Sequence, residues 1–437
     1  MNMVDIIIKK RNGGKLTNEE IEWFVDAYTK GEIPDYQVSA LMMAVYFQHL
    51  DDEETLTLTM AMQASGTTIN LSSIPGIKVD KHSTGGIGDK TTLIVAPLAA
   101  ACGVPIAKMS GRGLGMTGGT IDKLSAIPGF ETAIEPDAFL ENVRQHGIAV
   151  VGQSATLAKA DKLMYALRDV TGTIEEPSLI ASSIMSKKLA SGSDAIVLDV
   201  KCGSGAFMHD EQAAIELADK MVRIGKGAGK QTVAVITAME QPLGCSAGNS
   251  CEVVEAIETL KGRGPEDITE LALHLSAVMV LLGEKASTFD EAKEMTKRAL
   301  ADGSGLSKLG EMITAQGGDA SILDDITKLP RPAKAFEICS SNDGYVTRLD
   351  ASLVGHAVQT AGAGRTCKED EIDPSAGAYL YHKAGDPVRK GERLARLFGN
   401  DEVKIKAGLN DLKNAFTIGD DAPEKAPLII KTIGLEK

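Results

Sequence analysis

The chain has 437 residues, 43% of them hydrophobic, and carries 46 basic and 60 acidic side chains for a formal net charge of −14. This length and apolar content predict two or three folded domains and exclude overall disorder. The acidic balance argues against a general surface for nucleic acid or anionic membranes, because like charges repel. A small anionic substrate therefore needs a local positive pocket.

Cysteine usage and the first residues bear on the compartment. The six cysteines form neither a CxxC pair nor a Cys/His metal spacing, which predicts free thiols in a reducing environment. The opening MNMVDIIIKKRNGG is charged and lacks a long apolar core, and no run of about 18 apolar residues occurs. We therefore expect a cytoplasmic protein that is neither exported nor inserted into a membrane.

The first predicted unit is helical. Capping boxes begin at Thr17 and Asp51, and the segment LMMAVYFQHL supplies an apolar helix face for a core or a subunit contact. Helical patterning returns after residue 155. We predict one discontinuous helical lobe made of residues 1–70 and 155–192.

The segments between and after these helices show a different sequence pattern. Short apolar runs, TTLIVAPLAAACG, VPIAKMS and GIAVVG, alternate with glycine-rich turns and helical segments, and AIVLDVK and TVAVITAM look like strands. This alternation predicts an α/β lobe over residues 71–154 and 193–330, with a mixed, largely parallel and buried sheet.

The last segment, residues 331–437, is rich in strands and turns. Its stretch GDPVRKGERLARLF resembles half of a biotinyl or lipoyl type domain, but no Met-Lys-Met or Asp-Lys-Ala hairpin is present to carry the prosthetic group. We therefore expect a structural C-terminal α+β domain of the barrel-sandwich type.

The densest functional pattern is VDKHSTGGIGDKTT, residues 79–92. Its glycines let backbone N–H groups approach an anion, Lys81 supplies charge, and Ser83 and Thr92 offer hydroxyl donors. His82 lies between positive charge and hydroxyls, where an imidazole can donate to a substrate oxygen. The segment predicts a phosphate cradle with a proton-handling group.

A second glycine-rich stretch, KMSGRGLGMTGGTID, covers residues 108–122 and follows the apparent strand VPIA, just as the first follows IKVD. Two glycine loops at strand ends can close on one anion. Lys108, Ser110 and Thr120 add charge and hydroxyls to this second loop.

Two further motif patterns overlap the glycine-rich loops. GLGMTG fits the dinucleotide pattern GxGxxG, but Pro128 and Gly129 interrupt any following helix. GGIGDKT resembles a Walker A remnant, but Asp89 stands where a glycine should precede Lys90. For either loop alone, glycines that serve only as turns stay an open alternative.

Three polar residues of the later helical segment are further candidates. Ser183 and Lys187 are four residues apart and share one helix face, whereas the adjacent Lys188 points elsewhere. A solvated helix face explains this spacing equally well. Arg168 has the same ambiguity, because Asp169 can pair with it on the surface.

Four segments together resemble one known family: KHSTGGIGD, SGRGLGMTGGTID, YALRDVTGT and SSIMSKKLASGSDAIVLDVKCGSGAF are similar to thymidine and pyrimidine-nucleoside phosphorylases. The resemblance runs through nearly the whole chain. It implies the nucleoside phosphorylase and phosphoribosyltransferase fold, and a homodimer formed through the helical lobe. It also implies reversible phosphorolysis of uridine, thymidine or deoxyuridine, with inorganic phosphate as co-substrate and no organic cofactor.

The resemblance assigns roles to the motif residues. His82 is expected beside the base carbonyl nearest the ribose, and it forms the catalytic set with the base-binding residues Arg168, Ser183 and Lys187. The residues expected to bind phosphate are Lys81, Ser83, Thr92, Lys108, Met109 (through its backbone), Ser110 and Thr120. If phosphate binds the α/β lobe and the base binds the helical lobe, the lobes must close to join them.

Bacterial members of this family also hold a potassium-like or calcium-like cation. The matching positions are Gly88, Lys90, Leu243, Ser246 and Glu255. Lys90 stands where the family usually has Thr and Ser246 where Ala is common, and a lysine ammonium can occupy or repel the cation. Met116 in place of His and Ser125 in place of Glu are further departures, which remove no residue that the mechanism requires.

Two rival functions remain at this point. A phosphoribosyltransferase of the same fold requires Mg²⁺ and a pyrophosphorylated sugar, but the α/β part shows no matching Asp-Asp-Glu. A regulatory protein with the same pocket binds phosphate and pyrimidine without releasing a base.

Overall fold

The computed structural model describes residues 1–113, 116, 118–154, 156–365 and 370–435. Leu114, Gly115 and Thr117 of the GxGxxG match and Cys367 lie outside the described residues. The other five cysteines are free thiols. Within the described part of the chain, no helix has the length and apolar character needed to cross a membrane.

The helices and strands follow one another along the whole chain. The helices are α1 (Met3–Arg11), α2 (Asn18–Thr29), α3 (Asp35–Gln48), α4 (Asp52–Ala64), α5 (Thr91–Ala101), α6 (Thr120–Ser125), α7 (Pro136–His146), α8 (Lys159–Thr171), α9 (Pro177–Ala190), α10 (Glu211–Gly227), α11 (Ser250–Leu260), α12 (Glu266–Leu282), α13 (Phe289–Ala301), α14 (Ser304–Ala315), α15 (Ala351–Val358) and α16 (Glu402–Asn414). The strands are β1 (Val79–Ser83), β2 (Ile106–Ser110), β3 (Ile148–Gly152), β4 (Ala195–Cys202), β5 (Gln231–Ala238), β6 (Ser246–Gly248), β7 (Lys334–Cys339), β8 (Gly344–Leu349), β9 (Gly377–Leu380), β10 (Pro387–Val388), β11 (Arg393–Gly399), β12 (Phe416–Gly419) and β13 (Ile429–Ile433).

The helical lobe is discontinuous in sequence, as predicted. Helices α1 to α4 share one apolar core with α8 and α9, to which Met164 and Leu179 contribute. The capping boxes predicted at Thr17 and Asp51 are present at the starts of α2 and α4. Other residues of α9 belong to a second apolar core, which they share with α10, β4 and β5 of the α/β lobe.

The α/β lobe contains a mixed sheet in the order β1-β4-β5-β13, in which the first three strands are parallel and β13 runs antiparallel. Strands β2 and β3 form a separate parallel pair. Most of the apolar run TTLIVAPLAAACG forms the buried helix α5, whose 11 residues exceed the length of most buried strands.

Strands β1 and β2 carry the two glycine-rich loops. Each strand is followed directly by its loop, at Ser83 and at Ser110. Each strand also pairs with a parallel neighbour, β1 with β4 and β2 with β3. Loops at the carboxyl ends of parallel strands are the usual ligand-binding positions of an open α/β sheet.

The C-terminal segment contains two antiparallel sheets, in the orders β6-β9-β11-β7 and β10-β8-β12, together with α15 and α16. This agrees with the predicted α+β class. Two strands cross the boundary predicted at residue 330. β6, from the α/β segment, pairs with β9, and β13, from the C-terminal segment, pairs with β5.

Candidate functional site

A cavity of about 340 Å³ lies between the two glycine-rich loops. Its lining includes Tyr165 of α8, Lys188 of α9 and Phe207, none of which the sequence analysis placed in the site. The predicted site residues that line it are His82, Ser83, Thr92, Lys108, Met109, Ser110 and Thr120. Phosphate candidates from both loops therefore face one space.

The first loop is shaped by the carboxylate of Asp89. Asp89 accepts short hydrogen bonds from the hydroxyls of Ser83 and Thr91, and a 3.2 Å bond from the Thr91 N–H. Burial by itself raises the pKa of Asp89, but Lys81 and Lys201 lower it more, so the carboxyl stays ionised. This loop leads into α5, whose N-terminus favours an anion.

The second loop is held by Asp122. Its carboxylate accepts the N–H of Gly113 at 2.6 Å and of Gly119 at 2.9 Å, and Arg365 donates to it at 3.1 Å. A Cβ at Gly119 would lie 2.4 Å from the Gly113 nitrogen, so this close approach requires glycine. Helix α6 has only 6 residues, which agrees with the argument against a dinucleotide fold.

Lys81 lies behind the first loop and is not among the cavity-lining residues. Its ammonium donates to the Thr91 hydroxyl at 2.5 Å and lies 3.3 Å from the buried carboxylate of Asp199. Asp199 also pairs with Lys201 at 2.8 Å. In this arrangement Lys81 contributes charge to the cavity from beneath the loop.

Lys108 and Lys188 share one buried carboxylate, Asp80. Lys188 donates to Asp80 at 2.7 Å and to the Met109 carbonyl at 3.0 Å, and Lys108 lies 3.4 Å from Asp80 and donates to the Lys81 carbonyl. Burial and the nearby lysines lower the pKa of Lys108 to about 7, against the attraction of Asp80. Lys188 points away from Lys187, as expected, and lines the cavity between the glycine loops.

His82 lies at the cavity wall and is half-buried. Burial, followed by the charges of Lys188, Lys108 and two further lysines, holds the pKa of His82 well below its usual value. The imidazole is therefore neutral near pH 7, a value above its pKa. It can donate one N–H without carrying a charge.

Ser183 and Lys187 lie together on α9, as their spacing predicts. The Lys187 ammonium donates to the Ser183 hydroxyl at 2.9 Å and to the Asp161 carboxylate at 2.5 Å. The second oxygen of Asp161 is buried without a hydrogen-bond partner among the described residues. Neither Ser183 nor Lys187 is among the residues that line the cavity, so their role in base binding stays a prediction.

Arg168 is buried and does not form the surface pair with Asp169 that the sequence left open. Its guanidinium donates to the backbone carbonyls of Thr173, Ile174 and Leu179 at 2.6–3.1 Å. These bonds fix the segment between α8 and α9. Three of its five N–H groups are used in these bonds, and Arg168 is not among the cavity-lining residues, so its role in base binding stays a prediction.

Three of the five predicted cation ligands converge on the ammonium of a fourth, Lys90. The Lys90 ammonium donates to the carbonyls of Leu243 at 3.0 Å and Ser246 at 2.9 Å and to the carboxylate of Glu255. The carbonyl of Gly88 does not contact the ammonium in this way; it accepts the backbone N–H of Lys90 at 2.9 Å. A protonated lysine has no lone pair to give, so Lys90 cannot be a ligand and the set does not fit a metal ion.

Burial by itself lowers the pKa of Lys90, but Glu255 and Glu252 raise it more, so the net shift is upward. Lys90 therefore keeps its charge, and it also lies outside the cavity, which removes it as a Walker-type phosphate lysine. Among the described residues, no group of three or more His, Cys, Asp or Glu side chains is placed to hold a metal.

Met116 and Ser125, the two other departures from the family pattern, lie in different surroundings. Met116 lines the cavity, and its sulfur lies 3.8 Å from the Ser352 hydroxyl. Ser125 ends α6 and is exposed. Only Met116 can therefore contact a ligand directly.

Family models match three parts of the chain. Residues 4–66 match the helical bundle domain of the glycosyl transferase family, and residues 76–306 match its a/b domain. Residues 345–419 match the pyrimidine nucleoside phosphorylase C-terminal domain.

Individual proteins are also similar to this chain, one in fold and two over the full length of the sequence. Among solved structures, anthranilate phosphoribosyltransferase from Thermus thermophilus is similar in fold, with a TM-score of 0.57 and 18% identity over 71% of this chain and 99% of that one. The pyrimidine-nucleoside phosphorylase of Bacillus subtilis (strain 168) is 55% identical, with 99% of each chain covered. That of Geobacillus stearothermophilus is 54% identical over 98% of this chain and 99% of the other. The chain therefore belongs to the pyrimidine-nucleoside phosphorylase family.

Proposed function

We propose that this protein catalyses the reversible phosphorolysis of pyrimidine nucleosides. Uridine, thymidine or deoxyuridine reacts with inorganic phosphate and gives the free base and an α-pentose 1-phosphate. The observation that carries this proposal is the cavity in which both glycine loops, two lysines and His82 meet, in a chain related over its full length to named phosphorylases.

Phosphate is proposed to bind between the loops. Ser83, Ser110 and Thr120 supply hydroxyls to the cavity, and Lys108 supplies an ammonium. Thr92 lies in the first turn of α5, where backbone N–H groups and the helix dipole favour an anion. The backbone of Met109 completes the set, and Lys81 adds charge from behind.

The negative charge that develops on the departing base must be stabilised. Breaking the glycosidic bond places positive charge on the sugar and negative charge on the pyrimidine. Neutral His82 donates a hydrogen bond to the base carbonyl nearest the sugar, and Lys187 and Arg168 supply positive charge. Ser183 bonds the ring edge. Phosphate attacks the opposite face of the anomeric carbon, so a β-nucleoside gives an α-sugar phosphate.

The deciding experiment is an assay of base release. The protein is incubated with each of the three nucleosides, with and without phosphate, and free base is measured by chromatography. We expect release only with phosphate, because closure around the site excludes water. Binding of uracil and phosphate without release supports the regulatory alternative. A requirement for Mg²⁺ and a pyrophosphorylated sugar supports the phosphoribosyltransferase.

Variants in the same assay test the residue roles. Lys187→Ala and His82→Ala are each expected to lower kcat/KM by about 10²–10³-fold, the usual loss when one transition-state donor is removed. Lys162→Ala, at an exposed lysine of α8, is the matched control and keeps the wild-type rate. Wild-type rates for both Lys187→Ala and His82→Ala contradict the assignment, provided that melting curves show folded proteins.

Lobe closure is proposed because the two ligand sets lie on different lobes. The loops belong to the α/β lobe, whereas Arg168, Ser183 and Lys187 lie on α8 and α9 and outside the cavity lining. We expect the radius of gyration, measured by small-angle X-ray scattering, to fall when phosphate and uracil are added together. An unchanged radius contradicts closure.

The pKa of Lys108, about 7, predicts a pH-dependent anion site. Lys108 is charged below this pH and neutral above it, so anion affinity falls as the pH rises. Sulfate is the suitable probe, because it does not titrate in this range as phosphate does. We expect its Kd to rise about tenfold between about pH 6 and about pH 8.5, which corresponds to the loss of one charge-assisted hydrogen bond.

The control for this measurement is Lys108→Arg, whose guanidinium stays charged over the whole range. Its sulfate affinity should change little with pH in calorimetric titrations. A wild-type Kd that does not change with pH shows that Lys108 keeps its proton and contradicts the prediction.

We further propose that the helical lobe forms a homodimer. Helix α3 exposes Tyr36 and Phe47, at 73% and 69% of their full surface, and Met43 between them at 37%. These residues are 7 and 4 positions apart, so they share one face of the helix. An apolar face of this kind is typical of a subunit contact, and a second copy of the chain is the proposed occupant.

Sedimentation equilibrium tests the dimer. We expect the wild type at twice the chain mass of 46.0 kDa, and Phe47→Asp at the chain mass, because a buried carboxylate opposes association. Val403→Asp, at a 78% exposed position of α16, is the control and stays dimeric. A monomeric wild type contradicts the proposal.

The cytoplasmic location stays a prediction from the cysteine pattern.

A further inference from the structure

Lys90 places its ammonium in a shell of oxygen atoms that comes from the 243–246 segment and from α11. The side chain is fully buried, and its three N–H groups meet the carbonyls of Leu243 and Ser246 and the carboxylate of Glu255. An ammonium has three donors, so each is satisfied. Two carbonyls and one carboxylate form the type of oxygen set that also binds a hard cation.

The backbone around the ammonium is closely packed at two glycines. Gly244 has φ +70°, and a Cβ there would lie 2.2 Å from the Glu255 carboxylate and 3.0 Å from the Lys90 nitrogen. Gly88 has φ +72°, and a Cβ there would lie 2.4 Å from the Leu243 carbonyl. Both glycines therefore let the backbone close around a single small cation.

Charge balance excludes a second cation beside Lys90. Glu255 is the carboxylate in contact with the ammonium, and it also accepts the N–H of Cys245 at 2.9 Å. The neighbouring Glu252 lies 3.4 Å from its own lysine, Lys123. An added ion would leave unpaired positive charge in a buried site, which is strongly unfavourable.

We propose that the Lys90 ammonium is a covalently tethered replacement for a monovalent metal ion, so that the protein needs no potassium at this site. The tethered charge joins the first glycine loop, through the start of α5, to the 243–246 turn and to α11. A free ion performs this link only while it is bound, and its occupancy depends on concentration. The inference goes beyond the proposed function and is tested without turnover.

The test uses melting temperature in chloride salts of potassium and choline at equal ionic strength. We expect the wild type to melt at the same temperature in both salts. Lys90→Thr opens the oxygen shell and adds a hydroxyl oxygen, so it should melt several degrees lower in choline chloride. Potassium chloride should restore its stability with a saturable dependence on concentration, because an ion that binds only the folded state raises the melting temperature.

Two control variants separate ion binding from general salt effects. Lys90→Met removes the charge but supplies no oxygen, so it should be destabilised with little recovery in potassium. Lys10→Thr breaks another buried lysine–glutamate pair, at 2.9 Å to Glu54, which has no carbonyl shell, and it should show no preference for potassium.

Two results overturn the proposal. One is a saturable rise in the melting temperature of the wild type with potassium. The other is a Lys90→Thr protein with equal melting temperatures in both salts. If Lys90→Thr folds in neither salt, the titration of the wild type decides alone, since the tethered ammonium predicts no potassium response. Neither readout depends on whether the protein cleaves nucleosides.

Discussion

The candidate site depends on holding several lysine ammonium groups close together inside an acidic protein. Lys81, Lys108, Lys188 and Lys201 meet two buried carboxylates, those of Asp80 and Asp199, beneath the glycine loops. Buried charges are costly unless they are paired, and here the lysines outnumber these partners. The remaining positive potential is complementary to an anion that enters the cavity, in a chain whose net charge is −14.

The same positive potential determines how His82 can act. Burial, and then the charges of Lys188, Lys108, Lys81 and Lys187, oppose protonation of His82, and the pKa of its imidazole falls accordingly. A neutral imidazole stabilises a developing negative charge by hydrogen bonding, and the lysines stabilise it by charge. One cluster of side chains thus favours both the incoming phosphate and the departing base, which links the two halves of the proposed reaction.

Features that depend on residues close together in the chain, such as loops and helix caps, could be predicted from the sequence. The two loops were found because glycines, lysines and hydroxyls crowd into short segments, and the capping boxes at Thr17 and Asp51 depend on residues three positions apart. The apolar run at 91–101 shows no helical period in the sequence, because a fully buried helix has no polar face. Its length was the better indicator.

Contacts between distant residues could not be predicted in this way. Asp80 meets Lys188 from 108 positions away, and Arg365 reaches Asp122 from 243 positions away. The helix period correctly separated Lys187 from Lys188, but which face of α9 meets the cavity depends on how α9 packs between the two lobes. Lys90 is a further example. The sequence shows a lysine where the family usually has Thr, but it does not show the partners of that lysine, which lie 153 to 165 residues away.

The pairing of β13 with β5 has a consequence for the order of folding. Residues Ile429–Ile433 cover the edge of β5, whose own residues lie almost two hundred positions earlier in the chain. During synthesis, the three parallel strands can assemble while that edge is still open, and an uncovered edge is able to pair with another chain. Once β13 has paired, the edge of β5 is covered and can no longer pair with another chain.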